Sequence, residues 1–132
     1  MPVIAPCITV ETDEQYKQSV ERLMPFAERV HIDISDGEFA PTFLASNIFW
    51  AQNWLADVHA MVARPSEYVQ KLVALKPHLI VFHAEVQEDL LPTLQIIQQA
   101  GIKAGVALQR TTVPSTISAI IEKVDHVMIF SG

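Results

Sequence analysis

The feature that most constrains the fold is a recurrence. Six short, apolar, β-branched runs, at residues 2–9, 29–34, 55–62, 78–83, 103–108 and 125–130, begin at intervals of about 25 residues. Several lack polar alternation, so they read as strands buried on both faces, as in a parallel sheet. Helical patterns fill the gaps. Thr12-Asp13-Glu14-Gln15 is a capping-box signature, followed by an apolar face of Tyr16, Val20, Leu23 and Met24. Pro65 stands where a first-turn proline is tolerated, ahead of Tyr68, Val69 and Leu72. Glu88 and Asp89 favour a helix start, Leu90, Leu91, Leu94 and Ile97 supply a face, and Gly101 is the expected stop. Pro114 is expected to open a further helix with Ile117, Ile120 and Ile121, and residues 45–54 a shorter, poorer one. A regular β/α repeat predicts a right-handed parallel array, either a (β/α) barrel or an open doubly wound sheet. No GxGxxG or GxxxxGK[ST] follows any run, which weakens the nucleotide-binding version.

Composition narrows the class of partner. Half of the 132 residues are hydrophobic and 18% are charged, enough for one domain with a core. The net charge is −6 and there is no Lys/Arg cluster, so neither nucleic acid nor an anionic membrane is an expected partner. The single cysteine, Cys7, forms no internal disulfide, and no apolar run is long enough to span a bilayer. A cytoplasmic protein is expected.

The ionisable residues fall in a pattern. His31 and Asp33, Asp57 and His59, and His83 and Glu85 are each spaced two apart toward the ends of three successive strands, so each pair shares a face. In a barrel those ends converge on one mouth, where active sites are built. Imidazoles with a carboxylate suit Zn²⁺, Fe²⁺, Mn²⁺ or Co²⁺. A single buried histidine is more often a core residue than a ligand; the threefold repeat favours a metal site. Asp36-Gly37 also reads as a turn. Cys7 reads as a small core residue or as part of the mouth, Met61 as packing or pocket wall, and Trp50 and Trp54 as helix–barrel packing. His78 and His126 lie at the opposite ends of their strands and receive no role.

The stretches IAPCI, VHIDISDGEFAP, LADVHAMV with RPSEYV after it, IVFHAE and AGIKAGVAL occur in the order found in ribulose-phosphate 3-epimerases. The chain resembles that family over nearly its whole length, and HxDxxDGxFxP together with DVHxMV makes the resemblance specific. It implies a (β/α)8 barrel that binds one divalent metal ion and interconverts D-ribulose 5-phosphate and D-xylulose 5-phosphate. Carried over by motif, His31, Asp33 and His59 match three of four metal ligands, and Asp33 one of two carboxylates that exchange the C3 proton. Cys7, Met61, His83 and Glu85 match positions at the substrate pocket. Departures from the family pattern fall at Cys7, for a serine; Ser35, for a methionine; Thr42, for an asparagine; and Gln109-Arg110, for Asn-Pro. They bear on the sugar more than on the metal.

A (β/α)8 barrel takes roughly 200–250 residues. The expectation is therefore one barrel domain over residues 1–132, incomplete at about six β/α units, without the fourth ligand, the second acid/base aspartate or the phosphate site. The isolated chain is expected to be unstable or self-associating, a homo-oligomer, and nearly inactive. Two alternatives stay open: an epimerase for another ketose phosphate, and a non-catalytic half-barrel that self-associates.

Overall fold

A computed structural model describes residues 5–39 and 48–130. Six parallel strands form one sheet in sequential order: β1 (Cys7–Ile8), β2 (Arg29–Ser35), β3 (Leu55–Met61), β4 (Leu79–His83), β5 (Lys103–Gln109) and β6 (His126–Phe130). Helices α1 (Asp13–Leu23), α2 (Val69–Ala74) and α3 (Leu91–Gln99) follow β1, β3 and β4. Nearest-neighbour parallel strands alternating with helices are the arrangement of a partial (β/α) barrel. Among the described residues, no helix is long and apolar enough to cross a membrane.

The strand period of two divides the residues between two faces. Val30, Ile32, Ile34, Val58, Ile80, Phe82, Val106 and Leu108 point to the helix side. There they bury against Tyr16 and Val20 of α1, Val69 and Leu72 of α2, and Leu94 and Ile97 of α3 in one apolar core. The other face carries a small cluster of Leu79, Val81 and Ala107, and the ionisable groups. Trp54 is buried in the large core with Trp50 packed on it, the structural role expected of both. On β6, Val127 and Ile129 are exposed.

Local signals held where their geometry is self-contained. Thr12 caps α1 by accepting from Gln15 N–H at 3.1 Å, while Gln15 Oε1 accepts from Glu11 N–H. Gly101, at φ 79°, ends α3 in a Schellman motif, with Gly101 N–H on Gln98 O and Ile102 N–H on Ile97 O. Asp89 accepts the N–H of Leu91 at that helix's start; Glu88 instead accepts from Ser66 N–H and Oγ–H.

Four expectations need correction. Met24 does not join the α1 face: it is the C-cap and is 48% exposed, because 100° per residue carries it about 80° round from Tyr16. The helix expected at Pro114 is two 3₁₀ turns, Pro114–Ile117 and Ile121–Lys123. This Ser/Thr-rich stretch has other hydrogen bonds to make: Thr116 Oγ–H donates to Val113 O at 2.5 Å, which competes with a helical backbone. Pro65 likewise opens a 3₁₀ turn, Pro65–Glu67, before α2. Residues 48–54 contain a turn and no helix; the rest of the segment expected to be helical, and Thr42, lie outside the described residues.

Candidate metal centre

In a parallel sheet all C-terminal strand ends lie on one side, and residues opposite each other in register share a face. Asp33 on β2 is opposite His59 on β3, and His31 is opposite Cys7 on β1. Three ligand atoms therefore converge. Asp33 Oδ1 lies 2.8 Å from His31 Nε2 and 2.9 Å from His59 Nδ1. One ligand atom from each of the three residues falls within 4.8 Å of the other two. This is the donor chemistry of a site for a borderline divalent cation, two imidazoles and one carboxylate, with positions left over for other ligands.

Asp33 is poised as an anion. Burial alone would raise its carboxyl, but hydrogen bonds from His31, His59 and Thr9 outweigh that and hold it well below the usual carboxylate range. Thr9 donates its hydroxyl to Asp33 Oδ2 at 2.6 Å, so the two carboxylate oxygens face different partners. The sequence reading passed over Thr9. Its signal was its place two residues after Cys7 in the first apolar run, which puts both on one face of an extended segment.

His83 ends β4 fully buried, with Nε2 2.7 Å from His59 Nε2 and Nδ1 3.0 Å from Glu85 Oε1. Burial pushes the His83 imidazole below its ordinary value, more than the bond to Glu85 raises it. Burial would raise the Glu85 carboxyl, but the Thr112 hydroxyl, Gln109 N–H and His83 together lower it. Glu85 also borders an open cleft of about 490 Å³ shared with Phe39 and Arg64. The Phe39 ring lies 4.9 Å from that of His83, centroid to centroid. Met61 is buried and opposite Ser35 in register. Cys7 is exposed as a residue, and partial desolvation of its thiol, together with the charge of Asp33, raises its pKa.

Asp57, which the spacing grouped with His59, does not join the cluster. It stands two residues nearer the start of β3, and its Oδ2 accepts from Arg29 Nε at 2.7 Å. Asp36 does form the turn expected of it, with Gly37 at φ 78°, and it reaches further. Its Oδ1 accepts from the N–H groups of Glu38 and Phe39 at 2.9 and 2.8 Å, and Oδ2 from that of Ala63, just past β3, at 2.8 Å.

The chain is similar in sequence to known proteins. A model described as the ribulose-phosphate 3 epimerase family matches residues 3–132. The ribulose-phosphate 3-epimerase of Chlamydia muridarum is 34% identical over 110 residues, which cover 80% of this chain and 48% of that protein. That of Aquifex aeolicus is 32% identical over 80% of this chain and 50% of its own length, and that of Bacillus subtilis 28% identical over 80% and 51%. The chain spans about half the length of the curated relatives it matches.

Proposed function

Because the chain belongs to the ribulose-phosphate 3-epimerase family, we propose that the whole protein epimerises a ketopentose phosphate at C3, interconverting D-ribulose 5-phosphate and D-xylulose 5-phosphate. The observation that carries this reading is the convergence of His31 Nε2, Asp33 Oδ1 and His59 Nδ1 at adjacent strand ends. These residues would hold one divalent cation, Zn²⁺, Fe²⁺, Mn²⁺ or Co²⁺, which when bound supplies stabilisation of negative charge developing on the substrate's oxygens.

Epimerisation next to a ketone removes a proton from one face of C3 and returns one to the other. It therefore needs two acid/base groups on opposite sides. Asp33 is proposed as one. Its low pKa keeps it ionised and ready to accept, and Thr9 holds Oδ2 in a fixed direction. The second group is proposed to come from a part of the whole protein that these residues do not include. The isolated 132-residue chain is accordingly expected to turn over poorly and to self-associate. Cys7 and Met61 are proposed to border the sugar.

The test uses the full-length protein in D₂O with D-ribulose 5-phosphate. Deuterium is expected at C3 of both epimers. The rate is expected to fall by roughly 10²–10⁴-fold in Asp33→Asn, and His59→Ala is expected to lose metal binding. No C3 exchange in the parent would overturn the assignment. The replacements at Cys7 and Ser35 favour one second reading, a different ketose phosphate, which a substrate panel would separate. A whole protein that assembles stably but neither binds metal nor exchanges protons would instead be a structural half-barrel.

A further inference from the structure

A second cleft, of about 340 Å³, is lined by Phe49, Trp50, Gln52, Trp54, Leu75 and Lys76. It lies toward the strand starts: Trp54 immediately precedes β3, and Lys76 stands three residues before β4. Asp33 and His59, by contrast, each stand two residues from the C-terminal end of their strand. The cleft is therefore separate from the end of the barrel that carries active sites, and its volume is that of a small-molecule site. Hydrogen bonds hold both of its walls. Tyr16 Oη–H donates to Phe49 O, and the two rings meet edge to face with centroids 5.4 Å apart. Trp54 N–H donates to Ala51 O at 3.0 Å. Across the cleft, the N–H groups of Leu75 and Lys76 donate to Leu72 O and Val73 O at 3.1 and 3.0 Å.

The lining says what would fit. Phe49, Trp50 and Trp54 supply flat apolar surface. The polar side chains are mostly donors. Among the described residues that line the cleft, Lys76 carries the only charge, and Gln52 Oε1 is the only side-chain acceptor. Trp54 is 5% exposed, and its indole N–H is buried without an acceptor among the described residues. Such a donor is costly to leave unmet. Lys76 follows the C-cap of α2 at φ 56°, the one non-glycine residue with a positive φ among those described. Glycine is the usual residue there, because a Cβ is strained in that conformation. A lysine kept against that preference brings an ammonium to the cleft.

We infer that this cleft binds a small aromatic carboxylate, with its ring against Phe49 and Trp50 and its oxygens accepting from Lys76 and from the Trp54 N–H. An anion with a flat apolar body is the complement of a donor-rich, singly positive, aromatic lining. Both tryptophans keep their packing role and line the cleft as well. None of these residues belongs to the candidate metal centre, so either reading can fail and leave the other standing.

The experiment titrates the full-length protein, ¹⁵N-labelled at tryptophan, with 2-naphthoate and follows the indole N–H signals. The Trp54 signal is identified by its absence from Trp54→Phe. One-site saturation is expected, with Kd at or below about 1 mM and a shift of the Trp54 signal. The uncharged 2-naphthamide is expected to bind roughly tenfold more weakly, as is 2-naphthoate to Lys76→Gly. Glycine suits the Lys76 backbone, so that variant is expected to keep or raise the parent's urea midpoint. Saturating D-ribulose 5-phosphate is expected to leave the 2-naphthoate affinity unchanged. The inference would be overturned by any of five results: no saturable shift of the Trp54 signal up to about 10 mM, equal affinity for the amide, Lys76→Gly binding as tightly as the parent, a lowered urea midpoint in Lys76→Gly, or displacement by D-ribulose 5-phosphate.

Discussion

Replacing Asp36 by alanine removes one acceptor from three backbone donors at once. Two of its bonds close the turn after β2, at Glu38 and Phe39; the third, from Ala63, ties that turn to the end of β3. A hydrogen bond to a charged group contributes about 1.5–3 kcal/mol net where water is excluded. Asp36 is only partly buried, and water can replace some of what is lost, so about 1 kcal/mol per bond is the better figure. The expected destabilisation of Asp36→Ala is then about 2–3 kcal/mol, read as a lower urea midpoint at unchanged m-value. Its pH dependence has a definite sign. Partial burial would raise the Asp36 carboxyl, but the three N–H bonds outweigh it and hold it below its ordinary 3.8. A depressed folded pKa contributes stability that is complete above the unfolded value and is lost as pH falls through the folded one. The gap between parent and variant is therefore expected to be flat from neutrality to about pH 4 and to close below that. Equal urea midpoints at pH 7, or a gap that widens on acidification, would refute the reasoning.

Two further substitutions probe the sheet. A methyl group at Gly105 would lie 3.0 Å from Val81 Cγ2, 3.1 Å from His126 O and 3.2 Å from His126 Cβ; two of these belong to the backbone and β-carbon of the neighbouring strand and cannot swing aside. Gly105→Ala is expected to cost about 1–3 kcal/mol in a denaturation curve, and an unchanged midpoint would mean that β5 and β6 can part. Arg29→Met leaves the buried Asp57 carboxylate without its partner; its Oδ1 already has no hydrogen bond among the described residues. With the guanidinium a third exposed, the expected loss is about 2 kcal/mol, and Arg29→Met combined with Asp57→Asn should recover part of it.

The architecture was legible because it rests on periods. Short apolar runs about 25 residues apart admit few arrangements other than alternating strands and helices, and Thr12 and Gly101 announce helix ends by local chemistry alone. The His31–Asp33–His59 cluster was legible for the same reason, since a spacing of two puts His31 and Asp33 on one face. The same spacing misled at Asp57. Periodicity gives the face but not the height along the strand, and two residues lower an arginine waited for it. The helix expected after Pro114 failed because an apolar repeat was weighed over the hydroxyls around it. Neither the bond from Thr9 to Asp33 nor the approach of His59 to His83 could be read from the chain. Both contacts join different strands, set by relative register and rotamers that no single segment encodes.

The strict alternation of β2 also shapes how this protein can vary by descent. His31 and Asp33 look one way and Val30, Ile32 and Ile34 the other, with no spare residue between them. Point substitutions on the face of His31 and Asp33 leave the helix-facing side holding the fold. A single inserted or deleted codon within the strand has no such freedom. It would turn the isoleucines to the face of the ionisable groups and His31 and Asp33 into the apolar core, ending the packing and the cluster in one step. Variation within this strand is expected to be confined to exchanges of residue, with changes of length pushed out to the loops.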